Sequence, residues 1–175
     1  MSMDKYYNYY ENYMKICLDI DDCVADFRGY CKQQFGTCPD QGQNFDSKIW
    51  KLIKENPHVY RDLPIKEGGI ELVNWCKTWC KKNKWHLRFL TALPRNNDIL
   101  WAVWDKTIWC QKHFPGIPMF IGPYSADKWK HCNKGDLLID DREQNCKDWV
   151  KAGGRAYQYD NWPNCKKWLE SNFIV

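Results

Sequence analysis

Hydrophobic and polar positions alternate between two rhythms along this chain. Three short runs lack the polar alternation of a half-exposed strand: Met14-Lys15-Ile16-Cys17-Leu18, Leu87-Arg88-Phe89-Leu90 and Leu137-Leu138-Ile139. Such runs fit buried strands of a parallel sheet, covered on both faces. Between them the apolar residues recur at helical spacing. Ile70, Val73, Trp75, Cys76 and Trp79 predict a helix over 67–82, and Leu100, Val103, Trp104, Ile108 and Trp109 predict another, capped by Asn97-Asp98. Further helices are expected over 22–35 and 48–55, from Asp141 to about Ala152 before Gly153-Gly154, and from an Asn161 cap through Glu170. Pro118–Ile121 and Arg155–Tyr159 complete the strands, and Gly36, Pro39, Asp40, Gly42 and Asn44 mark a loop. Strand alternating with helix predicts an α/β fold built on a doubly wound parallel sheet. The stretch of roughly 28–66 is too long for a simple crossover. It reads as a small helical cap inserted after the first strand of a single domain.

Composition narrows the class. With 175 residues the chain is long enough for one domain with a real core. No apolar stretch is long enough to span a bilayer, and Met1 to Lys15 is polar and tyrosine-rich rather than signal-like, so a cytoplasmic protein is expected. Ten cysteines are scattered over all the predicted elements without a Cys-x-x-Cys pair, and several stand where a small hydrophobe would serve. Reduced thiols are the expectation. A net charge of +4 with dispersed lysines suits a small anionic substrate better than a nucleic-acid track, so no stable nucleic-acid partner is expected. Most of the eleven tryptophans are expected in the core or between helices.

The three buried runs change the picture through the residues at which they stop. The first runs into Asp19-Ile20-Asp21-Asp22-Cys23-Val24-Ala25-Asp26-Phe27, the second stops at Thr91, and the third at Asp140-Asp141. Ligands of open α/β sheets bind beyond the carboxyl ends of the strands, so Asp19, Asp21, Thr91, Asp140 and Asp141 are expected in one pocket. Four carboxylates there repel one another unless a cation neutralises them, which implies a hard metal, Mg²⁺ first. Each piece also has a plainer reading. Asp-x-Asp pairs are common in capped turns, Asp140-Asp141 fits a strand-to-helix turn, and Thr91 suits the end of a strand.

Taken together and in this order, the motifs resemble those of the haloacid dehalogenase superfamily of phosphatases. Asp19-Ile20-Asp21 after a strand, Thr91 at the end of a second, a lysine near residue 128 and Asp140-Asp141 after a later strand match its four motifs. Within it, Val24-Ala25-Asp26-Phe27 and Gly135-Asp136-Leu137-Leu138-Ile139-Asp140-Asp141 are most similar to the 5'(3')-deoxyribonucleotidases. Ile49-Trp50 and Tyr60-Arg61-Asp62-Leu63-Pro64 look like that family's base-pocket segment.

The resemblance implies a Mg²⁺-dependent phosphatase of deoxyribonucleoside monophosphates. Asp19 would be the nucleophile that forms an aspartyl-phosphate, and Asp21 the general acid and base. It implies Mg²⁺ on the Asp19 carboxylate, the Asp21 carbonyl and Asp141, with Asp140 close by. Thr91, the Ala92 amide and a lysine would bind the phosphoryl group, and Asp127-Lys128 fits the family's context better than Lys130. The family commonly has Ser where Ala92 stands, and Arg95 is a candidate for the missing contact. Phe27 and Trp50 would flank the base, though each also fits a core position. The rival readings are a phosphatase of another small phosphomonoester, such as a sugar phosphate or a polynucleotide 3'-phosphate, and a nucleotide-binding protein without catalysis. A homodimer is left open.

Overall fold

The computed structural model describes residues 13–39, 48–94 and 99–173. Five strands, β1 (Lys15–Leu18), β2 (His86–Thr91), β3 (Met119–Ile121), β4 (Leu137–Asp140) and β5 (Arg155–Gln158), form one sheet in the order β3-β2-β1-β4-β5. Every pairing is parallel, with Cys17 opposite both Arg88 and Leu138. The two central strands, β1 and β4, are buried along their whole length, as their unbroken apolar runs predict. The edge strands β3 and β5 are only half-buried.

Among the described residues six α-helices accompany these strands: α1 (Phe27–Phe35), α2 (Lys48–Glu55), α3 (Gly69–Asn83), α4 (Ala102–His113), α5 (Glu143–Lys151) and, after β5, α6 (Trp162–Asn172). A 3₁₀ helix, Ser125–His131, precedes β4 and has no counterpart in the sequence reading. From β1 the chain winds outward through β2 to β3, then returns to the other side of β1 to lay down β4 and β5. The winding direction therefore reverses at β1. In sheets of this kind the crevice at that switch point is where ligands bind.

Two expectations need correcting. The first helix begins at Phe27 rather than at residue 22, because Asp22 sits in the left-handed region (φ 61°) and breaks the helical path. Val24 and Ala25 instead donate to the Ile20 carbonyl, and the Asp26 side chain caps α1 by accepting from the Gly29 amide at 3.1 Å. The second correction concerns the face of α4. Of the five residues that suggested its apolar stripe, Leu100, Trp104 and Ile108 point outward, 84%, 71% and 42% exposed, while Trp109 is buried as expected. Ala102, Asp105, Lys106, Trp109 and Cys110 form the buried face instead. The predicted Asn97-Asp98 cap lies outside the described residues, as does Arg95. Asn161 does cap α6, accepting from the Asn164 amide at 3.0 Å.

Four of the eleven tryptophans, Trp75, Trp79, Trp85 and Trp168, gather around Phe173. Trp75 stacks on Trp79 at 5.6 Å, and both Trp79 and Trp85 meet the Phe173 ring edge-on. The Arg155 guanidinium lies 4.3 Å from the Phe173 centroid, a cation–π contact that closes the cluster. All ten cysteines are free thiols, most of them buried as small hydrophobes. No helix among the described residues is long and apolar enough to cross a membrane.

Candidate active site

Asp19 is the first residue past β1, and its amide still donates to the Ile139 carbonyl of β4 at 2.9 Å. That sheet bond fixes the Asp19 backbone in the crevice between the two central strands. Its Oδ1 accepts from the Ile20 amide at 2.8 Å and lies 2.8 Å from the Lys128 ammonium. The 3₁₀ helix carries Lys128 inward until it is 1% exposed, where it donates to Asp140 Oδ2 at 2.6 Å. Lys130, two residues on, pairs instead with Asp127 at the surface. Lys128 is thus the lysine that reaches Asp19.

Asp140 closes this cluster from β4. Both its oxygens are taken by Asn145 Nδ2, at 2.9 and 3.0 Å, and Oδ1 also accepts from the Arg142 amide at 2.9 Å. The metal-sized donor group comprises Asp19, Cys23 and Asp141, whose ligand atoms lie within 4.8 Å of one another, and Asp140 is not part of it. With both oxygens engaged by Lys128, Asn145 and Arg142, Asp140 is a counter-ion that holds the lysine. Asn145 was not singled out by sequence. Its signal was position: a buried polar residue at the fifth place after the first acid of the pair.

The electrostatics of this cluster follow from one buried cation among several acids. Burial raises the Asp19 carboxyl well above the usual carboxylate range. Lys128 opposes that rise, while Asp140, Asp141 and Asp21 add to it. Asp141 is pushed up to about 6 by burial and then by Asp140 and Asp22. Burial by itself would depress the Lys128 ammonium, but Asp140 and Asp19 more than reverse it, so Lys128 stays charged. Arg28 adds weak compensation from the rim, 3.6 Å from Asp141 and 3.3 Å from Asp22. An excess of buried negative charge with hard oxygen donors fits a divalent cation. The Cys23 thiol is raised well above its ordinary value by burial and then by Asp19, so it stays protonated and is a poor partner for Mg²⁺.

A second ionic cluster faces the first across the ends of β1 and β2. Thr91, fully buried as the last residue of β2, accepts from the Lys106 ammonium at 3.1 Å. The same ammonium pairs with Asp21 Oδ2 at 2.5 Å and lies 4.4 Å from the Tyr60 ring centroid. Lys106 was missed in the sequence because it falls on an apolar helix. Ala92 follows Thr91 as a half-buried residue at the strand end. Tyr60 in turn stacks on Phe27, with centroids 5.5 Å apart and planes at 8°, and Trp50 of α2 lies 6.5 Å from Phe27 at 30°. The two predicted base-flanking rings are therefore brought together, but Tyr60 covers part of Phe27.

A family model described as "5' nucleotidase, deoxy (Pyrimidine), cytosolic type C protein" matches residues 31–166, more than three-quarters of the chain. The protein belongs to that family. It is an enzyme of the haloacid dehalogenase superfamily, a phosphatase of the 5'-nucleotidase type. The matched stretch runs from α1 to α6 and includes Thr91, Lys106, Lys128 and the Asp140-Asp141 pair. Asp19 and Asp21 precede it. No curated protein matches the chain. Solved structures that resemble it include a hydrolase from Streptococcus pneumoniae TIGR4 at 14% identity, covering 90% of this chain and 98% of that one with a TM-score of 0.49. Another is the putative HAD-hydrolase YfnB from Bacillus subtilis, bound to magnesium, at 11% identity, covering 93% and 99% with a TM-score of 0.47.

Proposed function

We propose that this enzyme is a Mg²⁺-dependent phosphatase that hydrolyses deoxyribonucleoside monophosphates through an aspartyl-phosphate on Asp19. The observation that carries the reading is the placement of the Asp19 carboxylate at the switch point, with Lys128 2.8 Å away and Asp141 beside it. A phosphomonoester dianion repels an anionic nucleophile, so attack needs positive charge already in place. Lys128 supplies part of it and remains charged through its pairing with Asp140. The Asp19 and Asp141 carboxylates with the Asp21 carbonyl would hold Mg²⁺, which neutralises charge on the transferring phosphoryl group. Asp19 then attacks phosphorus, and Asp21 protonates the departing alkoxide. In the second half, Asp21 takes a proton from the water that hydrolyses the acyl-phosphate. Thr91 and the Ala92 amide bind phosphoryl oxygens.

The cap reading of residues 28–66 is supported by how its ends are tied. The Asp26 amide donates to Pro64 O and the Lys66 amide to Val24 O, and Ala25 bridges Ile65, so the segment leaves and re-enters the domain at one place. A cap anchored there suits closure over the crevice. It brings Trp50 and Tyr60 beside Phe27, the apolar surface a base would use. Membership of a family of deoxy, pyrimidine 5'-nucleotidases supports a pyrimidine deoxynucleotide as substrate.

A turnover screen tests this directly. Deoxynucleoside 5'- and 3'-monophosphates, ribonucleotides, sugar phosphates and 3'-phosphorylated oligonucleotides would be compared with Mg²⁺, with Ca²⁺ and with excess EDTA. Pyrimidine deoxynucleotides should turn over fastest, Mg²⁺ should exceed Ca²⁺ because the larger ion coordinates loosely, and EDTA should abolish turnover. Full activity in EDTA excludes the metal, and a faster rate on a sugar phosphate or a DNA end replaces the substrate.

A further inference from the structure

We infer that Lys106 is a positioning residue for Asp21, holding one carboxylate oxygen so that the other is the oxygen that exchanges the proton with the leaving group. The inference rests on the acid–base role proposed for Asp21. It starts from the saturation of the Lys106 ammonium. An ammonium has three donors. One is spent on Asp21 Oδ2 and one on Thr91 Oγ1, while the Tyr60 ring lies 4.4 Å away on a third side. Lys106 is 1% exposed, so it has no outlet to solvent. A phosphoryl oxygen could gain this ammonium only by displacing Asp21 or Thr91. Lys106 is therefore arranged to orient neighbouring side chains, in contrast to a lysine that waits for a phosphate.

The carboxylate it holds is asymmetric. Oδ2 is fixed by Lys106, whereas Oδ1 is buried with no hydrogen-bond partner among the described residues. A buried acceptor without a partner is costly, and such sites concentrate where chemistry needs them. With Oδ2 committed, Oδ1 carries the proton in both half-reactions: O–H to the alkoxide as the P–O bond breaks, then O–H reformed from water as the acyl-phosphate is hydrolysed. The neighbour of Lys106 braces the helix. Asp105, buried on the same face of α4, pairs with His58 of the cap segment at 3.2 Å. Thr91 joins the arrangement, since the same ammonium sets the hydroxyl that faces the phosphoryl group.

Leaving-group dependence distinguishes this role from others. A deoxynucleoside alkoxide needs a proton to depart, whereas p-nitrophenolate does not, and kcat/KM reports steps only through transfer to Asp19. Lys106→Met, similar in length and apolar beside Tyr60, should lower kcat/KM on a deoxynucleotide by about 100-fold, the usual scale of general acid catalysis, and on p-nitrophenyl phosphate far less. Asp21→Asn should show the same split. The double variant should fall no further on the nucleotide than Asp21→Asn alone, because Lys106 acts through Asp21. Equal losses on both substrates in Lys106→Met, or losses that multiply in the double variant, overturn the inference in favour of phosphate binding or plain structure. If Asp21→Asn shows the split and Lys106→Met does not, only the inference on Lys106 fails. If neither does, the acid assignment of Asp21 fails and takes the inference with it. Should Lys106→Met not fold, Lys106→Gln, which keeps a donor near Thr91 without the charge, is read by the same ratio.

Discussion

Two buried ammonium groups stand at the carboxyl ends of the central strands, and they differ in what surrounds them. Lys128 lies between two carboxylates, Asp19 and Asp140, with Asp141 close to the first. Lys106 faces one carboxylate, one hydroxyl and one aromatic ring. Each lysine is 1% exposed, so neither would be tolerated without partners. The difference is in the sum of charges. Around Lys106 one cation meets one anion, and the remaining donors find neutral partners, so the cluster is complete. Around Lys128 the anions outnumber the cation, and Asp19 and Asp141 are raised by burial first and by their neighbouring acids after it. A buried cluster with surplus charge is one prepared for a ligand of opposite sign. The count of charges, more than the presence of a lysine, separates a binding centre from a brace.

The strongest way to break that comparison is to remove the centre of the Lys128 cluster. Asp19→Asn should leave the fold intact and lower turnover of every phosphomonoester by at least about 1,000-fold, since an amide cannot form the acyl-phosphate. Beryllium fluoride, which mimics the phosphoryl group on a carboxylate, should inhibit the parent and fail to bind the variant. Lys128→Met should be nearly as damaging on nucleotide and p-nitrophenyl phosphate alike, and should destabilise the fold by about 3–5 kcal/mol because two carboxylates lose their partner. Loss on the nucleotide alone would put Lys128 in the same class as Lys106 and erase the distinction. Retention of more than about a hundredth of the parent rate in Asp19→Asn, far from the losses that follow removal of a nucleophile, would rule out the covalent route.

The two clusters were not equally legible in the sequence. The Lys128 side was readable because strand ends announce themselves: Asp19 and Asp140-Asp141 close unbroken apolar runs, and the sheet order then brings them together. Its lysine was readable through the Asp127-Lys128 context of the family resemblance, because distance to the acid pair alone does not separate Lys128 from Lys130. That the Asp140 carboxylate accepts from Lys128 and Asn145 was not, because two adjacent acids look alike in sequence while their carboxylates point to different partners. The Lys106 side was hidden by α4. Three members of its predicted apolar stripe, Leu100, Trp104 and Ile108, point outward and only Trp109 is buried, so periodicity blurred the buried face and left Asp105 and Lys106 on the apparent surface. The signal that remained was an Asp-Lys pair in register with Ala102, Trp109 and Cys110. The helix expected from residue 22 failed for a local reason, the left-handed Asp22, which no hydrophobic pattern records.

A smaller effect is expected in the aromatic group that Tyr60 joins to Lys106. Trp50 lies 6.5 Å from Phe27, and a base in this crevice would stack on its ring. Stacking of a base on an aromatic side chain is worth roughly 1–3 kcal/mol. Trp50→Ala should therefore lower kcat/KM for dUMP or dTMP by about ten- to a hundredfold and leave p-nitrophenyl phosphate nearly unchanged, a split read from steady-state rates on the two esters. It resembles the split expected of Lys106→Met but arises in KM, whereas that of Lys106→Met arises in kcat. Parallel losses on both substrates with a lowered melting temperature would assign Trp50 to the core and weaken the nucleotide reading.

The smallest expected effect tests the surplus charge itself. Asp141 has a folded pKa of about 6 against an ordinary 3.8, and Asp19 is raised in the same direction. Between pH 4 and 6 the metal-free fold therefore binds protons that the unfolded chain has released. By linkage, the metal-free protein loses stability as pH rises through that window, which is the opposite of an acid held ionised by a salt bridge. Mg²⁺ needs these carboxylates ionised, so its stabilising effect should be fully present above pH 7 and should shrink as pH falls toward 5. Melting curves at fixed Mg²⁺ and in EDTA, taken at half-unit steps from pH 5 to 8, give the difference directly. A Lys106→Met protein should retain this pH-dependent response to Mg²⁺, since the Lys106 cluster carries no surplus charge, whereas Asp141→Asn should flatten it. A Mg²⁺-induced shift of equal size at pH 5 and pH 8 in the parent would show that Asp141 does not hold the metal, and the contrast between a charged centre and a neutral brace would lose its basis.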